Sequence, residues 1–176
     1  MTLGHLMVVT HLLLNELNVD YIHVIPCFQQ TGKNLQPFGV RMTMCRAAFA
    51  HLPRTYVDPI EEELGGESLT INLVRALKHR YPHDNLRFVM GADLLESAPT
   101  WQGWEEINRL APPLVIGRAG ITPVSGESPS PISPLVSASI VRKALEARNY
   151  ELAERYIPSP ALQIIQDHHL YTTQVP

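Results

Sequence analysis

The stretch Leu86-Arg-Phe-Val-Met-Gly91 gives the clearest strand signal in the sequence, because its apolar residues run together and a glycine ends them. Three further short runs have the same character, namely residues 20–26, 55–58 and 114–116. Segments with helical spacing separate these strands, which favours an α/β fold with a parallel sheet and helices on both faces. Such sheets bind ligands beyond the carboxyl ends of their strands, so we expect functional residues at strand-to-helix turns.

The helices are predicted from apolar spacing, caps and prolines. Ser68 stands as an N-cap before a helix along which Leu69, Leu73 and Leu77 repeat. The other predicted helices cover residues 4–15, 37–51, 137–148 and 161–168. Residues 61–67, with an acidic run predicted to be a solvated face, and the Pro- and Ser-rich residues 118–134 are predicted to be loops. We expect one domain over residues 1–176, with residues 136–176 as its C-terminal helical part.

Bulk composition limits the classes of function. The 176 residues are 45% hydrophobic, which is enough for one full core. The formal net charge of -3 argues against a general basic field for nucleic acid, so anions must be held by a few placed donors. No apolar run approaches the roughly 20 residues of a membrane span, and no signal peptide is recognisable. We therefore expect a cytoplasmic protein in which Cys27 and Cys45 are reduced.

The first candidate site is Thr2-Leu-Gly-His5, at the start of a predicted helix. A helix N-terminus offers unpaired backbone N–H groups and the positive end of the dipole, and Gly4 allows an anion to approach the backbone. His5 adds a side-chain donor in the first turn. The pattern predicts a phosphate-binding turn; the alternative is an ordinary helix with a histidine on its surface.

The second candidate site is Ser137-Ala-Ser-Ile-Val-Arg142. Two hydroxyls in the first turn of a helix can cap its amides and also face a phosphate. Arg142 follows Ser139 by three residues, so both lie on one side of the helix and the guanidinium can reach the same anion. The alternative is a serine-capped helix with a solvated arginine.

Together the two motifs resemble those of the nicotinate-nucleotide adenylyltransferases, nucleotidyltransferases with a Rossmann-like fold that carry (H/T)xGH early and ISxTxxR late. The residues that match are Thr2, Gly4 and His5 in the first motif and Ser137, Ser139 and Arg142 in the second, with Ser139 replacing threonine. The resemblance implies that His5 and Arg142 act in catalysis and that all six residues bind ATP.

Further positions follow the family's order over nearly the whole chain. Gly91-Ala-Asp93 resembles the GxD that binds the adenosine ribose, and Lys33 lies where the family has a lysine that reaches phosphate. The resemblance assigns the pyridine nucleotide to Thr70 in a Ser68-Leu-Thr segment, Trp101 as a stacking ring, and Arg118. Without the resemblance, Trp101 would be interpreted as a core aromatic and Gly91 to Asp93 as a capped turn. Residues 167–171 resemble the family's C-terminal segment, and we assign no metal to its two histidines.

Two departures from the family pattern stand out. Family members precede the first motif with an apolar strand and a turn of the form GGSFDPPH, whereas this sequence begins inside that motif, so we expect the first strand to be missing. Its loss would leave ladder groups unpaired and remove backbone amides that cradle the triphosphate. Leu69 replaces the family's tyrosine, which we expect to loosen the pyridine pocket.

The resemblance implies adenylyl transfer from ATP to nicotinate mononucleotide in NAD biosynthesis, with Mg²⁺ carried by ATP. ATP and the mononucleotide are the expected partners, nucleic acid and membrane are not, and a homo-oligomer is left open. One alternative is a related nucleotidyltransferase that uses nicotinamide mononucleotide or phosphopantetheine, or transfers a cytidylyl group. Another is a nucleotide-binding protein impaired by its truncation. A domain with bound NAD as cofactor is disfavoured, because the chain has no GxGxxG.

Overall fold

The computed structural model describes residues 2–15, 19–32, 35–118, 131–133 and 138–171. These residues form two compact units, which we describe separately. The first unit falls within Met1–Pro26, Lys33–Pro59 and Leu135–Pro176, and the second within Cys27–Gly32 and Ile60–Pro134. The prediction of one domain over the whole chain stays a prediction.

The first unit combines a two-stranded parallel sheet with five helices among its described residues. In chain order these elements are α1 (Leu3–Asn15), β1 (Ile22–Val24), α2 (Phe38–Phe49), β2 (Thr55–Val57), α6 (Ala138–Glu146), α7 (Tyr150–Glu154) and α8 (Ser159–Asp167). Strand β1 pairs in parallel with β2, and His23 lies opposite Tyr56. The crossover through α2 is the connection that parallel pairing requires.

One hydrophobic core holds the helices of the first unit together. It includes Val9 of α1, Phe49 of α2, Val141 and Leu145 of α6, and Ile165 of α8, all buried. Because α1 and α6 pack into the same core, the helices that carry the two candidate phosphate motifs belong to one packed unit. The Leu3 N–H at the start of α1 also donates to the carbonyl of Tyr156, which lies outside this helix.

The second unit is built on a three-stranded parallel sheet. Its elements are α3 (Ile60–Leu64), α4 (Thr70–Arg80), β3 (Phe88–Gly91), α5 (Trp104–Leu110), β4 (Pro113–Arg118) and β5 (Pro131–Ser133), with short 3-10 turns at Ala92–Leu94 and Ala98–Thr100. Strand β4 pairs in parallel with both of its neighbours. The core of this unit lies between α4 and α5, where Ile71, Val74 and Ile107 are buried.

The parallel α/β architecture predicted from the sequence is confirmed, since every described strand pair is parallel. The predicted boundaries of the strands and long helices agree with the structure to within a few residues, as is usual where ends fray. The longest described helix, α1, has 13 residues, and no helix in the described part of the chain is long and apolar enough to cross a bilayer.

Three local predictions are wrong. Residues 61–67 are not all loop, because the acidic run forms α3, and Glu61 is buried rather than solvated. Ser68 does not cap α4: the N-cap is Leu69, and no side chain caps this helix. The extended loop predicted for residues 118–134 contains β5, which pairs with the end of β4. The rest of that loop lies outside the described residues.

Candidate functional site

The first turn of α1 brings Thr2 and His5 together. The Thr2 hydroxyl oxygen lies 2.8 Å from His5 Nδ1, and the Thr2 N–H donates to the same nitrogen at 3.3 Å. Thr2 is buried, Gly4 is buried, and the His5 side chain is exposed. The turn therefore presents the imidazole outward while its Nδ1 edge is held by the residue three positions earlier.

Backbone amides at this N-terminus are less available than the sequence predicts. The Leu3 N–H donates to the carbonyl of Tyr156 at 2.7 Å, and the His5 N–H donates to the carbonyl of Thr2 at 3.0 Å. These two amides are satisfied within the protein, so the expectation of unpaired amides is wrong for them. The bond to Tyr156 also fixes the start of α1 to the segment that follows α7.

The first turn of α6 brings Ser139 and Arg142 together. Arg142 Nη2 donates to the Ser139 hydroxyl oxygen at 3.1 Å, with Ser139 exposed and Arg142 half-buried. Both therefore lie on one side of the helix, as their spacing predicts. On the other side, Val141, Ala144 and Leu145 are buried and anchor α6 in the core. Ser137 lies outside the described residues.

Tyr171 lies within the electrostatic influence of Arg142 and of a second arginine, Arg41, that the sequence did not single out. Burial raises the pKa of the Tyr171 hydroxyl, and the nearby charges of Arg142 and Arg41 partly offset that rise. Arg41 belongs to α2, where its guanidinium lies 5.1 Å from the centre of the Phe38 ring and donates to the Gln36 carbonyl. Arg41 is one of two arginines on α2 and belongs to no motif, so no sequence signal singles it out.

In the second unit, the turn after β3 bends Asp93 back over Gly91. A Cβ atom built at Gly91 would lie 2.3 Å from Asp93 Oδ1, which is closer than any side chain allows. Gly91 has an ordinary extended backbone, φ -74 and ψ 148. The glycine is needed here for space, so that the exposed Asp93 carboxylate can lie against the end of the strand.

Trp101 lies in an aromatic cluster in the second unit. Its ring makes edge-to-face contacts with Phe88 of β3 and Trp104 of α5, with ring centres 6.1 and 5.9 Å apart. Edge-to-face pairs of this kind fix ring orientation. Trp101 is half-buried, so part of its surface stays accessible.

The turn that carries Trp101 packs on the first turn of α4. A Cβ at Gly103, whose φ is +72, would lie 2.8 Å from Cγ1 of Ile71. Ile71 follows Thr70, the first residue of α4, and Thr70 is half-buried. The structure thus brings the helix start with Thr70 and the turn with Trp101 into one region of the second unit.

Two other sequence-predicted residues are less fully described. Arg118 is the last residue of β4, at a carboxyl strand end as expected, but its side chain lies outside what the structure describes. Lys33 lies outside the described residues altogether.

Leu69, in place of the family's tyrosine, packs against the core of the second unit and also lines a cavity of about 420 Å³ between α3 and α4.

A buried carboxylate and a hydroxyl hold the segment around Phe28, a feature that the sequence did not reveal. The Phe28 N–H donates to Glu61 Oε2 at 3.1 Å and to the Ser68 hydroxyl at 3.0 Å. The Ser68 hydroxyl also accepts the Gln29 N–H at 3.1 Å, and the Ser68 N–H donates to the Gln29 carbonyl at 2.9 Å. Ser68 therefore holds this segment in place through hydrogen bonds and does not cap a helix.

Among the described residues, no group of three or more His, Cys, Asp or Glu side chains is arranged to hold a metal ion. A divalent cation that enters with a triphosphate takes most of its ligands from phosphate oxygens and water. The described side chains of the two phosphate motifs are instead hydroxyls, an imidazole and a guanidinium, which are groups that donate hydrogen bonds to anions.

Sequence comparison finds relatives over most of the chain. The chain is 32% identical over 157 residues to the probable nicotinate-nucleotide adenylyltransferase of Anaeromyxobacter dehalogenans, covering 87% of this chain and 81% of that protein. It is 30% identical over 170 residues to the protein of the same name from Myxococcus xanthus, covering 96% and 87%. No protein-family model matches the chain.

Structural comparison agrees with the sequence comparison on the fold. The structure is similar to that of the Plasmodium falciparum nicotinic acid mononucleotide adenylyltransferase complexed with NaAD, with a TM-score of 0.80 at 20% identity. The likeness covers 97% of this chain and 91% of that one. With bacterial relatives at 30% identity or more along most of its length, the chain belongs to the nicotinate-nucleotide adenylyltransferase family of nucleotidyltransferases.

Proposed function

We propose that this chain transfers the adenylyl group of ATP to nicotinate mononucleotide, as a step in NAD biosynthesis. An oxygen of the mononucleotide phosphate attacks the α-phosphorus of ATP in line, and the bond between that phosphorus and the oxygen bridging to the β-phosphorus breaks. The products are nicotinate adenine dinucleotide and pyrophosphate. The observation that carries the proposal is family membership together with both phosphate motifs present in the family's order.

The first unit supplies the phosphate-binding donors. The attacking phosphate is already an anion, so little proton transfer is needed and catalysis consists of positioning and neutralising charge. We assign His5, with the Gly4 amide, to the α- and β-phosphates. We assign Arg142 and Ser139, joined by their 3.1 Å hydrogen bond, to the β- and γ-phosphates that leave as pyrophosphate. Ser137 and Lys33 remain predicted phosphate ligands.

The second unit supplies the groups for the two nucleosides. We assign Asp93, next to Gly91, to the adenosine ribose, because a carboxylate at a strand end accepts hydroxyl hydrogen bonds. Trp101 is assigned to the pyridine ring, because a tryptophan face stacks well on a flat heterocycle and its orientation is already fixed by Phe88 and Trp104. Thr70 and Arg118 are assigned to the pyridine carboxylate.

Mg²⁺ would enter the site bound to ATP, as part of the substrate. It would offset the negative charge of the triphosphate oxygens, with ligands from ATP and water. The side chains of the first unit then add hydrogen bonds and one guanidinium charge around that complex. A cytoplasmic location remains a prediction.

The direct test is a pyrophosphate-release assay on the purified chain. With ATP, Mg²⁺ and nicotinate mononucleotide, the folded protein is expected to release pyrophosphate and form the dinucleotide in equal amounts. His5→Ala should lower mainly kcat, by about 100-fold if it removes one donor to the transition state. Protein shown by circular dichroism to be folded, yet releasing no pyrophosphate above background, would contradict the proposal.

The acceptor is tested by competition. Nicotinate mononucleotide, nicotinamide mononucleotide and phosphopantetheine are supplied together at equal concentration, and the products are separated by chromatography. We expect the nicotinate dinucleotide to dominate. A dominant product from either other acceptor would keep the nucleotidyltransferase assignment and overturn the assignment of the substrate. The variant Leu69→Tyr, which restores the family's residue, shows whether this position affects that choice.

A further inference from the structure

Thr2 has an arrangement that a phosphate ligand would not need. Thr2 is only 3% exposed, whereas His5 beside it is exposed. Its backbone N–H and its hydroxyl both face the same atom, Nδ1 of His5, at 3.3 and 2.8 Å. A residue buried against the next ligand in the motif is better placed to act on that ligand than on an anion in solvent.

These contacts favour one position for the proton on the imidazole ring. A backbone N–H can only donate, so this 3.3 Å contact favours an Nδ1 that accepts and carries no hydrogen of its own. The Thr2 hydroxyl then also donates its hydrogen to Nδ1. A neutral imidazole has one N–H group, which is therefore on Nε2. A proton on Nδ1 would instead face the Thr2 N–H, donor against donor.

We propose that Thr2 is a positioning residue that keeps His5 in the neutral form protonated on Nε2, so that this N–H donates to a phosphate oxygen of the nucleotide. The inference rests on the proposed function, in which His5 contacts ATP, and it gives Thr2 a role through His5 in place of a direct phosphate contact. A donor oriented before the reaction stabilises developing charge without reorganisation. In the other tautomer, the Nε2 lone pair would repel the phosphate.

The tautomer is measured without any substrate. Nitrogen NMR of the histidine side chains separates the two neutral forms, and the His5 signal is identified by its absence in His5→Ala. We expect the Nε2–H form alone in the unsubstituted protein and in Thr2→Ser. Thr2→Val keeps the shape but removes the 2.8 Å hydroxyl contact and leaves only the longer 3.3 Å backbone contact, so the preference for Nε2–H should weaken and the Nδ1–H form should appear beside it. Thr10→Val makes the same change elsewhere on α1 and should leave the signal unchanged. An unaltered His5 signal in Thr2→Val would overturn the proposal.

A double-variant cycle then tests the role in turnover. Thr2→Val should lower kcat about tenfold, the loss of roughly one hydrogen bond, while Thr2→Ser should keep the rate within about twofold. If Thr2 acts through His5, Thr2→Val combined with His5→Ala should be no slower than His5→Ala alone. Fully additive effects would mean that Thr2 contacts the substrate itself. If the unsubstituted protein forms no dinucleotide, the proposed function fails, and the NMR result still decides the tautomer.

Discussion

Arg142 shows how one hydrogen bond orients a phosphate-binding group. Its guanidinium donates to the Ser139 hydroxyl, and this hydrogen bond holds it on one side of α6. We expect Arg142→Ala to lower kcat/KM about 100-fold, the usual effect of removing a transition-state donor. Arg142→Lys should recover only part of this, because an ammonium cannot make the bidentate contact.

The matched control for Arg142 is the next residue on α6. Lys143 is exposed and is not one of the residues of the phosphate motif, so Lys143→Ala removes one positive charge from the same helix and should leave kcat/KM nearly unchanged. If Lys143→Ala lowered activity as much as Arg142→Ala, the effect would come from the helix or from net charge, and the assigned role of Arg142 would be wrong.

Gly91 keeps space for the carboxylate of Asp93. In Gly91→Ala the new methyl group would lie 2.3 Å from Asp93 Oδ1, so the Asp93 side chain must move. Because the backbone conformation suits alanine, the melting temperature should change little. The KM for ATP should rise about tenfold or more, as expected when a charged hydrogen bond to the ribose is lost. Steady-state kinetics with varied ATP check this, with Asp93→Asn for comparison. An unchanged KM in Gly91→Ala would exclude Asp93 as a ribose ligand in this position.

At the scale of elements, the contact between α4 and the turn before α5 depends on Gly103. Its φ of +72 disfavours any side chain, and a Cβ there would meet buried Ile71 at 2.8 Å. We expect Gly103→Ala to lower the free energy of unfolding by about 2–4 kcal/mol, from left-handed strain plus overpacking. Gly65→Ala separates the two causes, because Gly65 also has a positive φ of +64 but nothing lies within 4 Å of its Cβ. It should cost only about 1 kcal/mol. If urea unfolding gave the same loss of unfolding free energy for Gly103→Ala and Gly65→Ala, this account would be wrong.

The elements also show where sequence reasoning succeeds. Apolar runs such as 86–91 and regular spacing along α1 and α4 depend on neighbours in the chain, and these elements were predicted correctly. The role of Ser68 was not, because its hydroxyl bonds to Phe28 and Gln29, about 40 residues earlier. Glu61 is misread for the same reason: a glutamate among acidic neighbours is predicted to be solvated, yet it satisfies a backbone amide 33 residues away. Partners distant in sequence leave no local pattern.

At the scale of the whole molecule, the order of the motifs predicted the family, although each motif alone was weak. The order of the motifs does not predict which contacts each side chain makes. The sequence makes Thr2 and His5 two equivalent ligands, whereas the structure buries one against the other. It also gives no reason to place Arg142 and Arg41 near Tyr171, because that arrangement results from α2, α6 and the C-terminal segment packing on one core.

That same packing makes the stability of the chain sensitive to alkaline pH. Burial raises the pKa of the Cys45 thiol above its ordinary value, and burial likewise raises the pKa of Tyr171. The folded chain therefore keeps these protons at a pH where the unfolded chain has lost them. Their contribution to the free energy of unfolding is full below the ordinary thiol pKa and falls as the pH rises through the folded values.

We expect urea unfolding under reducing conditions to show stability that declines above about pH 9, near the unperturbed thiol pKa. Cys45→Ala should lower stability at neutral pH, since it leaves a small void, but should make the alkaline decline shallower. Cys27→Ala is the matched control, because Cys27 is half-buried whereas Cys45 is buried, and the slope of this variant should follow that of the unsubstituted chain. A Cys45→Ala slope as steep as the control would show that the thiol is not the group that titrates.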